Sequence, residues 1–286
     1  MILDRLRHPI VLAPMAGGPS TPELAAAVTR AGGLGFLAGA YRSAEDLRGD
    51  IRALRSLTDG AFGVNIFVPS VHEAPPGELD RSLDRLRAEA DRYGTGVGEP
   101  RVDDDGWTAK LAVLAGERVP LVSFTFGGPE PAVLSAVRST GAEAWVTVNH
   151  PDEAAAAEDA GADVLVVQGV EAGGHQGGWM HPGGGEGFGV LALMRLVAAR
   201  SGLPLVAAGG LGDGAAVAGV LAAGAAAAQC GTVFLRTDEA GTNDVYRAAL
   251  RRGGRTALTR AFSGRPARGL RNRFMAEHEA QAPFGY

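Results

Sequence analysis

The chain has 286 residues, of which 46% are hydrophobic and 21% charged, and this balance is typical of a packed globular protein. Its formal net charge of −5, without a basic stripe, argues against nucleic-acid binding. A single cysteine excludes an intrachain disulfide, and no run reaches the ~18 uninterrupted apolar residues of a membrane span, so we expect a cytoplasmic protein with no membrane partner.

Eight short apolar runs alternate with helical patterns along the chain. Their hydrophobicity is continuous rather than alternating, which indicates burial on both faces and therefore a parallel sheet. The strand candidates cover 10–16, 34–39, 62–68, 121–126, 143–148, 163–168, 204–209 and 226–234. The stretches between them predict helices that end at glycines and that begin at four capping residues, Thr21, Ser43, Asp152 and Asp213.

Strict alternation of eight strands with helices predicts an α/β fold, a (β/α)8 TIM barrel formed as one domain over residues 1–286. A doubly wound open sheet is the alternative, since alternation fits both. Residues 70–118, between the third and fourth strands, predict a helical elaboration, with a helix over 78–94. Residues 236–286 predict a short C-terminal tail that packs over the barrel mouth or closes its base.

The C-terminal ends of barrel strands meet at one mouth, where ligands bind. The residues at the predicted ends are rich in amides and glycines and poor in carboxylates, which is typical of a site for a planar, hydrogen-bonding ligand. We find no Cys/His or paired-carboxylate cluster at metal spacing, and therefore predict no metal site. No G-x-S-x-G elbow is present, which argues against an acyl-transfer hydrolase. The strand-end residues are Met15, Asn65, Thr125, His150, Gln168, His175, Gly209, Gly210 and Gln229–Thr232.

Two glycine-rich turns late in the chain indicate a phosphate site. AAGGLGDG (207–214) follows the seventh predicted strand, and QCGT (229–232) lies within the eighth. Glycines there let backbone N–H groups approach a phosphate, and the Thr232 hydroxyl adds a donor. The alternative is that these glycines only make turns. The amides of Gln168 and Asn65 can meet the edge of a heterocycle or serve as structural amides.

His175 is the main candidate for catalysis. It lies between two glycine pairs, in a loop with no structural need of an imidazole. Its ordinary pKa lies near neutral pH, so it can transfer a proton or attract an anionic substrate. His150 is a weaker candidate, and Cys230 is expected to be a small buried filler rather than a nucleophile. We expect the remaining histidines to be structural or exposed, namely His8, His72, His181 and His278.

Seven motifs in chain order resemble those of the nitronate monooxygenase family, formerly called 2-nitropropane dioxygenases. They are APMAGGPSTPELAAAVTRAGGLGFLAG, GVNIFVP, VSFTFGGP, VQGVEAGGHQGG, AAGGLGDG, QCGTVF and RGLRNRF. The resemblance runs from about residue 8 to the C-terminus. It implies an FMN-binding TIM barrel that oxidises alkyl nitronates, propionate 3-nitronate above all, with O2 to a carbonyl compound and nitrite.

The resemblance also implies roles for individual residues. His175 matches the histidine of substrate binding and proton transfer, and Met15 lies where the APM turn meets the flavin. The implied partners are a small anionic nitronate and O2, and we expect a monomer or a homodimer. The remaining FMN-binding positions are Asn65, Gln168, Gly173, Gly210, Gln229, Cys230, Gly231 and Thr232.

Two other functions remain open from the sequence. Related FMN barrels share the APMAG and EAGGH motifs, so an NAD(P)H-dependent flavin reductase of enoyl thioesters or quinones is one alternative. A barrel that binds a phosphate-bearing ligand without any flavin is the other.

Overall fold

A computed structural model describes residues 1–69, 77–99, 103–180 and 187–279. The strands in these ranges, numbered along the chain, are β1 (Ile10–Leu12), β2 (Gly35–Ala38), β3 (Phe62–Phe67), β4 (Leu121–Thr125), β5 (Glu143–Val148), β6 (Val164–Gln168), β7 (Gly174–His175), β8 (Leu205–Ala208), β9 (Ala227–Cys230), β10 (Thr256–Thr259) and β11 (Ala267–Leu270). Eight of them pair in the order β1-β9-β8-β6-β5-β4-β3-β2, and a parallel bridge between Val11 and Leu34 joins the two outer strands. The sheet therefore closes, which confirms the predicted TIM barrel over the open sheet.

Helices follow the barrel strands as predicted. They are α1 (Pro22–Arg30), α2 (Ala44–Leu57), α3 (Glu78–Tyr93), α4 (Trp107–Gly116), α5 (Pro131–Ser139), α6 (Pro151–Ala160), α7 (Val190–Ala198), α8 (Gly214–Ala222), α9 (Asp244–Arg252) and α10 (Arg273–His278). None of the helices in the described ranges combines the length and apolar composition needed to cross a membrane. That residues 1–286 form one domain stays a prediction.

Three of the four predicted helix caps are confirmed, and one is wrong. Thr21, Ser43 and Asp213 each accept a hydrogen bond from a backbone N–H of the first turn. The cap of α6 is His150, whose side chain accepts from the N–H of Asp152, and not Asp152 itself. Pro151 explains the shift, since proline has the backbone geometry of the first helical position and the cap must precede it.

The eighth barrel strand is shorter than predicted. It ends at Cys230, and Thr232–Arg236 form a 3-10 helix rather than strand. The break lies at Gly231, whose φ of −120° and ψ of −67° are not extended. Thr232 therefore lies in the first turn after the strand, on the mouth side of the barrel.

The elaboration between β3 and β4 contains two helices with different roles. α4 packs against α2 and β3, as the regular helix of a β/α unit does. α3 is the additional helix, and its buried residue Glu89 contacts Arg273 of α10.

The base of the barrel is closed by the N-terminal residues. Ile2, Leu3 and Leu6 pack on an apolar interior that includes Phe36 and Trp145. The Glu143 carboxylate accepts from the Ile2 backbone N–H (2.6 Å) and from Trp145 Nε1 (3.0 Å). A filled interior and a covered base leave the mouth as the place for a ligand.

The C-terminal tail packs over the mouth, so the first of the two predicted placements is correct. β10 and β11 form a hairpin, and β11 pairs antiparallel with β7, which places Ala267 opposite His175. The Gln176 N–H donates to the Pro266 carbonyl (2.8 Å), and Arg268 donates to the Val170 carbonyl (3.0 Å).

Candidate active site

Polar side chains from neighbouring strands form a connected cluster at the mouth. Asn65 is only 3% exposed, and its Nδ2 donates to Ser123 Oγ (2.9 Å) and Thr125 Oγ1 (3.0 Å). Thr125 Oγ1 in turn lies 3.3 Å from Thr147 Oγ1. In the part of the chain that the structure describes, no group donates to Asn65 Oδ1, so this oxygen is an acceptor that a ligand can use.

Gln168 has a stronger structural role than the sequence indicated. Its Oε1 accepts from Asn149 Nδ2 (3.0 Å) and from the Gly177 N–H (2.7 Å), and its Nε2 donates to the His175 carbonyl (3.2 Å). These bonds occupy both lone pairs of the oxygen and one of the two N–H groups, so one N–H is left for a ligand. Gln168 therefore holds the loop of His175 against the strand ends.

A buried carboxylate anchors the same loop from the helix side. Glu153 of α6 is 1% exposed and accepts backbone N–H bonds from Asn149 (2.7 Å), Trp179 (2.6 Å) and Met180 (2.9 Å). Gly177 packs so closely that a Cβ would lie 2.9 Å from the methyl groups of Thr125 and Thr147. Neither Glu153 nor Asn149 was predicted as a site residue, because neither lies within the recognised motifs.

His175 is held by a side chain from the tail. Its Nε2 lies 2.7 Å from Ser263 Oγ, and its ring meets the Phe126 ring edge-on with centroids 5.8 Å apart. Burial lowers the pKa of His175 below its ordinary value, and the positive charge of Arg265 lowers it further. Both causes favour the neutral imidazole, the form that can act as a hydrogen-bonding group or proton acceptor.

Three aromatic side chains, Tyr41, Phe67 and Phe126, form an aromatic wall beside His175. The Phe67 ring meets Tyr41 (5.8 Å) and Phe126 (4.6 Å) edge-on, and Arg265 lies over the face of Phe126 with Cζ 4.5 Å from the centroid. Phe126 has a φ of +69°, a left-handed conformation that costs a non-glycine residue about 1–3 kcal/mol. The aromatic wall and Arg265 together form a surface that was not predicted from the sequence.

The predicted glycines converge from separate loops into one region, the glycine corner, formed by Gly173, Gly210, Gly231 and Thr232. A Cβ on Gly173 would lie 2.7 Å from Thr232 Oγ1, and one on Gly231 would lie 3.6 Å from Met15 Sδ. A Cβ on Gly210 would lie 3.1 Å from Glu171 Cβ, so the loop after β8 borders the loop after β6. The structure thus brings Met15 together with the glycines.

The glycine corner and the amides fit the requirements of a flavin mononucleotide. Backbone without side chains around the Thr232 hydroxyl suits a phosphate, which needs close N–H donors and no nearby carboxylate. Glu171, the acid of the loop after β6, accepts from the Val190 N–H at the start of α7 with both of its oxygens. Asn65 Oδ1 and the remaining Gln168 N–H suit the polar edge of a ring. Gln229 lies on β9 between Val11 and Ala208, and Cys230 is buried.

Several other candidates lie outside this arrangement. His150 caps α6, His8 is exposed, and His278 is buried against Glu89 between α10 and α3. His72 and His181 lie outside the described residues. Burial raises the pKa of the Cys230 thiol, which keeps it protonated and unreactive, as expected of a filler. A surface cavity of about 360 Å³ opens at the base beside Ile2 and Gly33, away from all the predicted site residues.

Known proteins of similar sequence were found over nearly the whole chain. A nitronate monooxygenase from Pseudomonas aeruginosa is 43% identical, over 97% of this chain and 80% of its own length. A probable nitronate monooxygenase from Staphylococcus aureus strain Newman is 33% identical over the same shares.

Solved structures agree with this comparison. The structure of nitroalkane oxidase from Streptomyces ansochromogenes matches with a TM-score of 0.95 and 48% identity, over 100% of this chain and 83% of that one. FabK from Thermotoga maritima matches with a TM-score of 0.75 and 32% identity, over 96% and 75%. The family model described as nitronate monooxygenase matches residues 2–286, and this chain therefore belongs to the nitronate monooxygenase family.

Proposed function

We propose that this chain binds FMN at the mouth of the barrel and oxidises alkyl nitronates with O2 to a carbonyl compound and nitrite. The observation that carries the proposal is the position of His175 two residues after Gly173, whose Cα hydrogens face Thr232 Oγ1. The loop that carries His175 thus also contributes Gly173 to the glycine corner. Membership of a flavin enzyme family supports the same function.

In this function, one group of residues would bind the phosphate of FMN and another would orient its ring. The glycine corner holds the phosphate through backbone N–H groups and the Thr232 hydroxyl, and Met15 borders it. Asn65 and Gln168 orient the ring through their amides. When bound, FMN supplies the redox chemistry, that is, acceptance of electrons and reaction with O2.

His175 would act on the substrate. A neutral imidazole beside Ser263 can donate a hydrogen bond to a nitronate oxygen in one tautomer, or in the other accept the α-proton of the neutral nitroalkane and so convert it to the nitronate. The loop that carries it packs onto Thr125 and Thr147 through Gly177, which keeps water away from that side of the mouth.

The proposal is tested by replacing the imidazole. His175→Asn should keep the flavin spectrum and lose about 10²-fold or more of kcat/KM, since a positioned acid or base contributes on that order. Oxygen uptake with propionate 3-nitronate on FMN-saturated protein is the measurement, and His8→Asn, an exposed histidine, is the control. Near-normal turnover by His175→Asn would contradict the role. Rapid anaerobic bleaching of the flavin by NADH or NADPH would instead favour the reductase.

The cofactor site has its own test. Gly173→Ala places a methyl group 2.7 Å from Thr232 Oγ1, so the hydroxyl must shift and FMN affinity should fall about tenfold or more. The matched control is Gly202→Ala, at an exposed glycine outside the predicted loops, because a Cβ there meets nothing within 4 Å. Fluorescence titration with FMN measures both. Equal FMN affinity of the two variants, or no flavin binding by the unmodified protein, would contradict the site.

A further inference from the structure

The chain contains a single lysine, and its side chain is buried. Lys110 of α4 is 1% exposed, and its Nζ lies 2.7 Å from Oδ2 of Asp105, two residues before that helix begins. Within the ranges that the structure describes, neither of these two atoms has a further hydrogen-bond partner. A buried ammonium group is costly unless it is paired, so the ion pair holds the Asp105 carboxylate against α4.

The other carboxylate oxygen of Asp105 holds the loop that follows β2 at the mouth. Oδ1 accepts a hydrogen bond from the Tyr41 backbone N–H (3.0 Å), across 64 positions of the chain. Tyr41 has a φ of +61°, a left-handed conformation that is strained for a bulky residue. Strain of this kind persists only where surrounding contacts determine it, and the bond to Asp105 is such a contact.

Tyr41 is the member of the aromatic wall furthest from His175 along a series of ring contacts. Its ring meets Phe67 at 5.8 Å, Phe67 meets Phe126 at 4.6 Å, and Phe126 meets His175 at 5.8 Å. Tyr41 is also 69% exposed, although it packs against Phe67. Its ring therefore presents an apolar surface at the rim of the mouth that a ligand can cover.

We propose that Asp105, held by Lys110, is a positioning residue that fixes Tyr41 at the rim of the mouth, where the Tyr41 ring contacts the carbon chain of the substrate. With the nitronate group at His175, a long alkyl chain reaches Tyr41 and a short one does not. The inference rests on the proposed nitronate oxidation and adds to it a residue that recognises long alkyl chains.

Two alkyl nitronates of different length test the contact. For Tyr41→Ala, the KM for hexyl 1-nitronate should rise at least fivefold, whereas kcat and the KM for ethyl nitronate should change less than twofold. Tyr41→Phe keeps the ring and should keep the KM of the unmodified protein. The control is Tyr93→Ala, at a tyrosine of α3 that is 71% exposed, and it should change neither KM.

Two matched double variants separate the hydrogen bond to Tyr41 from the ion pair. Lys110→Met combined with Asp105→Asn, and Lys110→Met combined with Asp105→Ala, both remove the two buried charges. Only asparagine keeps an oxygen that can accept from the Tyr41 N–H. The alanine double variant should raise the KM for hexyl 1-nitronate at least threefold, and the asparagine double variant should leave it within twofold. In a Tyr41→Ala background this difference should vanish, because Asp105 acts through Tyr41.

Hydrogen exchange distinguishes failure of this inference from failure of the proposed function. The Tyr41 amide, followed by NMR in FMN-loaded protein, should exchange at least tenfold faster in the alanine double variant than in the asparagine one. If neither nitronate is turned over, the proposed function and the substrate contact are wrong, and the exchange still decides whether Asp105 positions Tyr41. Equal exchange in the two double variants, or equal KM changes for both nitronates in Tyr41→Ala, would overturn the inference.

Discussion

His175 depends on side chains that come from a distant part of the chain. Ser263, 88 positions later, contacts Nε2, and Arg265 shares the Phe126 ring. The Ser263 hydroxyl also lies 3.5 Å from the Arg265 carbonyl oxygen. The Ser263 hydroxyl can donate to Nε2 or accept from an Nε2–H, and when it donates, the neutral ring carries its proton on Nδ1. The tail thus supplies the partner that orients the His175 ring.

Ser263→Ala should therefore impair catalysis without loss of the cofactor. Removal of one hydrogen bond, worth about 1 kcal/mol, should lower kcat about three- to tenfold, and Ser263→Thr should restore most of it by keeping the hydroxyl. The measurement is steady-state oxygen uptake, with flavin content from the visible spectrum. Ser139→Ala, at an exposed serine of α5, is the control. Full turnover by the alanine variant would show that Ser263 does not position His175.

The protonation of His175 gives a second prediction. Burial is the larger cause of its lowered pKa and Arg265 the smaller, so the imidazole stays neutral to lower pH than an ordinary histidine. Arg265→Gln should raise the pKa of His175, although not to the ordinary value, because the burial remains. NMR titration of labelled histidines measures this, with the His175→Asn spectrum as assignment. A pKa of His175 that is unchanged by Arg265→Gln would contradict the coupling.

The additional helix α3 and the terminal helix α10 are joined by a charged cluster. Arg273 donates to both carboxylate oxygens of Glu89 at 2.8 Å and also contacts Glu277, and His278 Nε2 lies 3.3 Å from Glu89. These hydrogen bonds, first of all those from Arg273, lower the pKa of Glu89 to about 2. Three metal-ligating groups thus lie close together here, in Glu89, Glu277 and His278, but the guanidinium already bonds both carboxylates.

This cluster should make the contact of α3 with α10 sensitive to acid. A carboxylate whose folded pKa is depressed stabilises the fold above its ordinary pKa, and that stability is lost as the pH falls towards the folded value. Arg273→Gln should raise the pKa of Glu89 and accelerate hydrogen exchange in α3 and α10 at neutral pH. Exchange mass spectrometry is the measurement. The control is Arg87→Gln, which breaks an exposed pair with Asp84 on the same helix. Equal exchange in both variants would contradict the link.

As a whole, the barrel is asymmetric between its two ends. The base is filled by Ile2 and Leu6, and Glu143 joins this segment to Trp145 in the interior. The mouth is instead bordered by glycine loops and covered on one side by the β7–β10–β11 sheet. We therefore expect substitutions at the base to affect stability, and substitutions at the mouth to affect the proposed binding.

Glu143→Ala should destabilise the fold and leave the mouth intact. The substitution leaves the Ile2 N–H and Trp145 Nε1 without their acceptor, which costs about 1–3 kcal/mol and lowers Tm by about 2–4 °C per kcal/mol. Calorimetry measures Tm, and FMN affinity should be unchanged. The control is Asp159→Ala, at an exposed carboxylate of α6. An unchanged Tm would show that the two hydrogen bonds to Glu143 do not stabilise the closed base.

Local patterns in the amino-acid sequence were sufficient for the elements and for the glycine loops. Continuous apolar runs marked all eight barrel strands, because a strand buried on both faces leaves a signal in its own residues. The same holds for Gly173, Gly210 and Gly231, because the lack of a side chain that their proposed role requires is visible in the sequence itself. Errors occurred at boundaries, such as 226–234, where one backbone angle at Gly231 ends the strand.

The side chains that surround His175 could not be predicted from local sequence patterns. Ser263 and Arg265 reach His175 because β11 pairs with β7 across more than ninety positions. Phe126, which has a left-handed backbone, contacts the rings of His175 and Phe67 and the guanidinium of Arg265. Pairing over such a separation depends on the closed barrel that presents β7, and no residue of 256–270 signals its partner locally. The residues of the loop around His175 were therefore sufficient to predict its candidate role. The charge and orientation of His175 depend instead on contacts that exist only in the folded chain.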